Sequence, residues 1–206
     1  MVKAYDRIRR GTDSSGRPIV LNARMDAALK DVEAELARRD QPAPIITQGA
    51  YMGGAGATAS AGVHDAGGAL DFRTRHLTAE QKKILVRVLR KHGWAAWQRN
   101  LTHGGFKDEH VHAVLLGDRE AAPGARDQMV EYRAGGDGLK GTGKDYHWRP
   151  DPIPTFSWPA WQKRQRAKVS LPSFKRRHLT NALKAAQKGG NPNRVRLLRR
   201  WIDQLK

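Results

Sequence analysis

Between residues 21 and 39 the chain sets Met25, Leu29, Val32 and Leu36 at intervals of three and four, one apolar stripe on an α-helix, with Asn22 placed to cap the first turn. This predicts a helix packed on a sheet. Thr78 to His92 repeats the pattern with Ile84, Leu85, Val88 and Leu89, starting on a threonine cap followed by Glu80-Gln81 and stopping at Gly93. Four short runs lack the helical period and read as strands: Ile45 to Gln48 after Pro42 and Pro44, Ala69 to Arg73, Trp94 to Gln98, and Val111 to Leu116. The last is apolar almost throughout, as a buried central strand is. Arg119 to Tyr132 predicts a helix that closes the unit, followed by a glycine-rich loop from Gly135 to Gly143. The expected fold class is α+β, a small mixed sheet with flanking helices.

Beyond residue 149 the pattern changes. Pro150, Pro152 and Pro154 alternate along the chain and cannot sustain a helix, which predicts a stiff extended connector over residues 150–157. Trp158 to Val169 and Ser173 to Gln187 then read as two short cationic helices, Gly189-Gly190-Asn191-Pro192 as a break, and Arg194 to Leu205 as a last helix with Val195, Leu198, Ile202 and Leu205 on one face. The expected organisation is a domain over residues 1–149, the connector, and a basic helical region over residues 158–206.

Charge strengthens that division. The 206 residues carry a net +18, of which residues 151–206 contribute +12 from 14 Lys and Arg against two Asp. A cationic surface of that density steers and holds polyanions, with Lys175, Arg176, Arg177, Arg194, Arg196, Arg199 and Arg200 as the candidate contacts. Wall polymers, anionic lipids and nucleic acid all qualify by charge. The plainer alternative is a solvated basic helix pair that packs on itself.

Composition sets outer limits. There is no cysteine, so no disulfide staples the fold, and no run of about 18 apolar residues would span a bilayer. The opening Met1-Val2-Lys3-Ala4-Tyr5-Asp6 lacks the apolar stretch of a secretory signal. This predicts synthesis in the cytoplasm and exit by lysis, a helper pore or incorporation into a particle.

The candidate chemistry lies in Gly62-Val63-His64-Asp65-Ala66-Gly67-Gly68-Ala69-Leu70-Asp71 and Glu109-His110-Val111-His112. Zinc takes imidazole nitrogen and carboxylate oxygen, and a catalytic zinc keeps three protein ligands and one open position. His64, Asp71 and His112 supply such a set. No single helix face or strand explains the seven-residue step from His64 to Asp71, so Gly67 and Gly68 must turn the chain back between them. Taken singly, each residue has an ordinary explanation, His64 as a core histidine and Asp65 as a turn former. The joint pattern outweighs these. Gly53, Gly54 and Gly56 suggest a phosphate cradle, but no Lys-Ser/Thr follows them, and a flexible groove wall is the better expectation.

These residues carry a resemblance to the zinc D,D-peptidases, L,D-peptidases and Hedgehog-type domains, whose signature is Ser-x-His-x-x-Gly-x-Ala-x-Asp followed by Glu-x-x-His or His-x-His. His64, Gly67, Ala69 and Asp71 match in register, while Gly62 stands where the signature has serine and Ser60 lies two residues earlier. The second motif fits both variants. With Gln48-Gly49-Ala50-Tyr51 and Trp97-Gln98-Arg99, the stretch over residues 20 to 145 is most similar to peptidoglycan peptidases of actinobacterial phages. The resemblance implies a Hedgehog-type fold and an endolysin-like D,D-carboxypeptidase/endopeptidase or L,D-endopeptidase, with Zn2+ held by His64, Asp71 and His112. Glu109 would be the general base, His110 an auxiliary catalytic group, and Gln48 the oxyanion donor with Arg99 in reserve. Strand alternation complicates Glu109, because it sets Glu109 on the face away from His110 and His112 unless a bulge intervenes. The implied partners are peptidoglycan and anionic wall polymers at the bacterial cell wall, with other phage proteins possible. A second expectation is a non-catalytic virion component or nucleic-acid binder with a structural zinc.

Overall fold

The computed structural model describes residues 2–13, 15–54, 62–139, 141, 143–190 and 192–203, with the side chains of 168–176 outside the description. Two compact units divide the chain, Met1–Phe156 and Ser157–Lys206. The first contains β1 (Arg7–Thr12), β2 (Pro18–Asn22), α1 (Ala23–Arg38), β3 (Ile46–Gln48), β4 (Ala69–Arg73), α2 (Ala79–Lys91), β5 (Trp94–Arg99), β6 (His110–Leu115) and α3 (Pro123–Ala134). The second contains α4 (Trp158–Lys188) and α5 (Pro192–Asp203).

Both predicted caps on the first two helices form. Asn22 Oδ1 accepts the Met25 N–H at 2.8 Å. Thr78 and Gln81 close a reciprocal capping box at the start of α2, which satisfies two otherwise orphaned donors. α1 and α2 press their stripes on one face of a sheet of order β3-β4-β6-β5. Every pairing in it is antiparallel, so the expected mixed sheet is an antiparallel one. A separate hairpin, β1-β2, carries alternating charge and escaped the sequence reading. Its turn is organised by Asp13, whose carboxylate accepts the backbone N–H groups of Ser15 and Arg17 and the Arg17 Nε–H.

Alternation sorts the sheet residues into two layers. Leu70, Phe72, Val111, Ala113, Leu115, Trp94 and Ala96 face α1 and α2 and are essentially fully buried. Each large side chain buried there contributes about 1.5–3 kcal/mol. Ala69, Ala95 and Val114 face the other way, with Ala121, Ala122, Ala125 and Met129 in and before α3. Asp71, His110, His112 and Trp97 lie on this same face, and α3 reaches it through Tyr132, which meets Trp97, and Gln128, which meets His112.

The predicted connector belongs to the first unit. Phe156 packs against the helix-side core, Ile153 packs against the α3-side cluster, and Arg24 Nη2 donates to the Phe156 carbonyl at 3.0 Å. Arg90 organises the approach: it is fully buried, pairs with Asp145 at 2.7 Å and donates to the carbonyls of Ala96, His147 and Trp148. In the second unit the two short helices expected before Gly189 are one helix of 31 residues. Pro172 removes one backbone bond, at about 3 kcal/mol, without ending it. α5 turns Leu198 inward and half-buries Val195 and Ile202, while Leu205 lies outside the described residues.

Arg90→Ala should destabilise the first unit by about 3–5 kcal/mol, because it strands Asp145 as an uncompensated buried charge. Denaturant unfolding of the two proteins measures this, and a loss under about 1 kcal/mol would contradict the role given to the pair.

Candidate metal centre

Sheet register brings the candidate ligands together. Asp71 on β4 lies directly opposite His112 on β6, and His112 lies opposite Trp97 on β5. Gln48 on β3 pairs with Asp71 from the outer side, after a register shift that follows Ile46. One row across the sheet therefore reads Gln48, Asp71, His112, Trp97. His64 arrives from the turn before β4, tied to the chain after β3 by Met52 N–H donating to the His64 carbonyl and Tyr51 N–H donating to the Ala66 carbonyl.

The two glycines of that turn serve different purposes. Gly68 has φ +99°, a left-handed conformation suited to glycine. Gly67 does not, but a Cβ there would stand 2.6 Å from the Tyr51 hydroxyl. One glycine supplies the turn and the other supplies the close approach. Ser60 and Gly56 lie outside the described residues. Gly54 donates its N–H to Asp65 at 2.9 Å, so this part of the expected groove wall is pinned to the His64 turn.

Hydrogen bonds outside the cluster fix the histidine tautomers. The Gln128 amide nitrogen donates to the Gly138 carbonyl at 3.0 Å, which turns its Oε1 toward His112 Nε2 at 2.9 Å. That nitrogen must carry the proton. The neutral ring then presents its Nδ1 lone pair to Asp71 Oδ1 at 2.7 Å. His64 Nδ1 lies 3.0 Å from the Gly49 carbonyl and donates to it, so Nε2 presents its lone pair to the same Asp71 oxygen at 3.5 Å. Three acceptors converge with their other sides already engaged, the arrangement of a metal site with oriented ligands. One atom from each of His64, Asp71 and His112 lies within 4.8 Å of the others, and all three residues are buried, so the group could hold a metal ion.

Electrostatics favour a positive charge among the three residues. Burial alone would raise Asp71, but the two histidines hold its carboxyl well below the usual carboxylate range. Burial would lower His64, yet Asp71 and the Gly49 carbonyl raise it, whereas burial keeps His112 below the usual imidazole value. A proton on His64 alone still leaves His112 Nδ1 and Asp71 as two acceptors 2.7 Å apart. A divalent cation satisfies all three.

Supports for the site come largely from the loop after α3. Trp97 stacks on His112 with ring centroids 6.3 Å apart and is met edge-on by Tyr132. The consecutive carbonyls of Gly136, Asp137 and Gly138 accept Trp97 Nε1–H, Arg99 Nη1–H and the Gln128 amide. Gly138 has φ +70°, and a Cβ there would lie 2.7 Å from the Trp97 ring. Gln128 and Gly138 were not singled out from sequence. Only the glycine density after α3 hinted at a close approach.

The remaining expected residues separate. His110 stays beside the ligands, with Nε2 4.0 Å from Asp71 Oδ1 and Nδ1–H donated to the Asp108 carbonyl at 2.7 Å. Glu109, expected as the general base, is not brought to the cluster. Its carboxylate binds Lys82 Nζ of α2 and the Gln98 amide, each at 2.5 Å, on the helix-covered side of the sheet. No bulge intervenes, so alternation from His110 carries Glu109 to the other face. Gln48 is buried opposite Asp71, and Arg99 is buried next to Trp97 along β5. In the second unit Arg177, Arg194, Arg196, Arg199 and Arg200 are exposed, as are Leu197 and Trp201, whereas the side chains of Lys175 and Arg176 are outside the description. Among the described residues no helix is long and apolar enough to cross a membrane.

Compared with family models, with curated proteins and with solved structures, the chain gives no match.

Gln128→Leu should weaken metal binding about 10- to 100-fold by freeing the His112 ring, while leaving the fold intact. Competition against a chelator of known affinity, with circular dichroism as the control, measures it. Unchanged affinity would mean that Gln128 does not set the tautomer.

Proposed function

We propose that the protein is a zinc-dependent peptidoglycan peptidase of the endolysin type, hydrolysing an amide of the stem peptide or its cross-link. The observation that carries this reading is the convergence of His64 Nε2, Asp71 Oδ1 and His112 Nδ1, with the outer ring nitrogens bound to Gly49 and Gln128. Three protein ligands rather than four leave a position open, which favours a catalytic over a structural ion. Zinc bound there would lower the pKa of a water to about 7 and polarise a carbonyl. The resemblance of the two motifs to zinc D,D- and L,D-peptidases supplies the substrate class.

The chain's own residues divide the remaining work. His110 takes the proton of the attacking water at Nε2, the nitrogen left free by the Nδ1 bond to Asp108, and returns it to the leaving amine. Glu109 holds Lys82 and Gln98 and braces the start of β6 from behind. Gln48, opposite Asp71 in the same row, is the residue that the resemblance assigns to the developing oxyanion. Trp97 keeps the His112 ring from rotating and excludes water on that side. The basic second unit retains the enzyme on anionic wall polymers through the arginines of α5. Nucleic acid is the competing polyanion, and a non-catalytic virion protein with structural zinc is the competing role.

His110→Ala should lower the rate of peptidoglycan hydrolysis by about 10²–10⁴-fold at unchanged zinc content, whereas Glu109→Ala should chiefly lower stability. Hydrolysis of purified actinobacterial-type peptidoglycan, with products identified by mass and zinc by elemental analysis, decides it. Bound zinc with no wall or peptide cut would sink the enzymatic reading.

A further inference from the structure

The second unit, Ser157–Lys206, carries 14 Lys and Arg against one acidic residue, Asp203. Its last helix, α5, has two apolar stripes. Val195, Leu198 and Ile202 make the first, at intervals of three and four, on a helix that packs against α4. Leu198 is buried there and the other two are half-buried. Leu197 and Trp201 make the second stripe, one turn apart, and stay 46% and 47% exposed. At about 3.6 residues per turn these two lie about 40° apart around the helix, bordered by Arg194 on one side and Arg200 on the other. Arg196 and Arg199 lie on the far side of α5, where with Ala186 and Val195 they line a groove between the two helices.

The packing of α5 on α4 thus leaves an aliphatic and an indole side chain bare between guanidinium groups. Apolar surface held in water is disfavoured, and an adjoining pair of large apolar groups on an ordered helix marks a contact face. Charge and chemistry limit what covers it. A second copy of the chain would bring the four arginines of its own α5 to the same patch and be repelled. A wall polymer or a nucleic acid offers phosphates to the arginines, and bases would stack on Trp201, but neither has hydrocarbon to cover Leu197. An anionic lipid surface has both in the needed order, with phosphates outside and hydrocarbon beneath. Indole rings settle at that boundary, and arginine stems reach from it to the headgroups.

We infer that α5 docks on anionic membrane lipid, with Leu197 and Trp201 at the boundary between headgroups and acyl chains and Arg194 and Arg200 on the lipid phosphates. The helix lies along the surface, since with 12 residues, four of them arginines, it is too short and too charged to cross a bilayer. Arg196 and Arg199, on the groove side, are left for the wall polymer of the proposed function. The inference stands apart from the peptidase reading, because it uses no residue of the metal centre and is read by binding alone.

The test measures co-sedimentation of the full chain with phosphatidylcholine vesicles and with vesicles in which about one lipid in four is phosphatidylglycerol. Soluble poly(glycerol phosphate), which repeats the phosphodiester without hydrocarbon, is the parallel ligand. The wild type should bind the anionic vesicles about 10- to 100-fold more tightly than the neutral ones, at about fivefold for each arginine near the surface. Leu197→Ser combined with Trp201→Ser should weaken vesicle binding about 10- to 100-fold and leave binding of poly(glycerol phosphate) unchanged. Arg194→Gln with Arg200→Gln should reduce the preference for anionic lipid about 10-fold. Equal binding of anionic and neutral vesicles by the wild type overturns the inference. So does a serine variant that binds vesicles as well as the wild type, or one that loses vesicles and polymer equally. A lipid-free dimer that the serine pair dissociates, or single-stranded DNA binding that Trp201→Ser weakens while vesicle binding is unchanged, gives the face to a second copy or to nucleic acid instead. Circular dichroism controls for the helix. If the double variant loses helicity, Leu197→Ser alone carries the test, and unchanged vesicle binding overturns the inference. Vesicle binding by a chain that cuts no wall keeps the inference and removes the peptidase reading, and wall cutting without vesicle binding does the reverse.

Discussion

Everything around the site follows from one buried carboxylate oxygen faced by two imidazole lone pairs. Asp71 Oδ1 lies 2.7 Å from His112 Nδ1 and 3.5 Å from His64 Nε2, in surroundings that exclude water from most of the group. Unpaired, such a carboxylate would be driven to its neutral form at a cost of several kcal/mol. The histidines keep it ionised instead. A cation entering the cluster competes with protons for the imidazole nitrogens, so metal affinity falls as the pH falls.

Holding three acceptors together requires that none can turn away. Gly49 and Gln128 hold the outer nitrogens, Trp97 covers the His112 ring, and Tyr132 presses on Trp97 from the α3 side. The loop after α3 anchors this shell through three successive carbonyls. Backbone carbonyls accept the donors of the indole, the guanidinium and the amide without adding charge near Asp71. The antiparallel sheet beneath sets the spacing, with one row presenting the ligand carboxylate and imidazole and the next presenting His110 between two cations.

The candidate ligand set, which the sheet brings together as a group that could hold a metal ion, was legible in the sequence because imidazole and carboxylate types recur at a spacing that glycines make possible. α1 and α2 were legible from stripes and caps, each a local signal that the structure forms as read. Features that depend on contacts distant along the chain were not. Gln128 shows nothing in its own neighbourhood that points to His112, sixteen residues away. Gly138 reads as one glycine among several until the Trp97 ring is seen against it. The β1-β2 hairpin was missed because alternating arginines conceal a strand whose outer face is solvated. α4 runs on through Pro172 where two helices were expected, since a proline ends a helix only where nothing else sustains it.

Parity settles the relation between the two overlapping motifs. Glu109-x-x-His112 and His110-x-His112 share their last residue, and on composition either glutamate or histidine could transfer a proton. A three-residue step along a flat strand crosses to the opposite face, while a two-residue step returns to the same one. Register with Arg73 and Arg99 shows β6 already extended at His110, so Glu109 falls behind the sheet, where Lys82 and Gln98 neutralise and fix it. A carboxylate tied to an ammonium group at 2.5 Å is a poor base even apart from its position, since the pairing holds its pKa below the ordinary glutamate value. His110 has the opposite circumstances. One ring nitrogen is spent on a carbonyl, the other faces the ligands, and the strand holds the ring in place. Within the proposed function, the geometry of the strand assigns proton transfer to the histidine and reduces the glutamate to a brace.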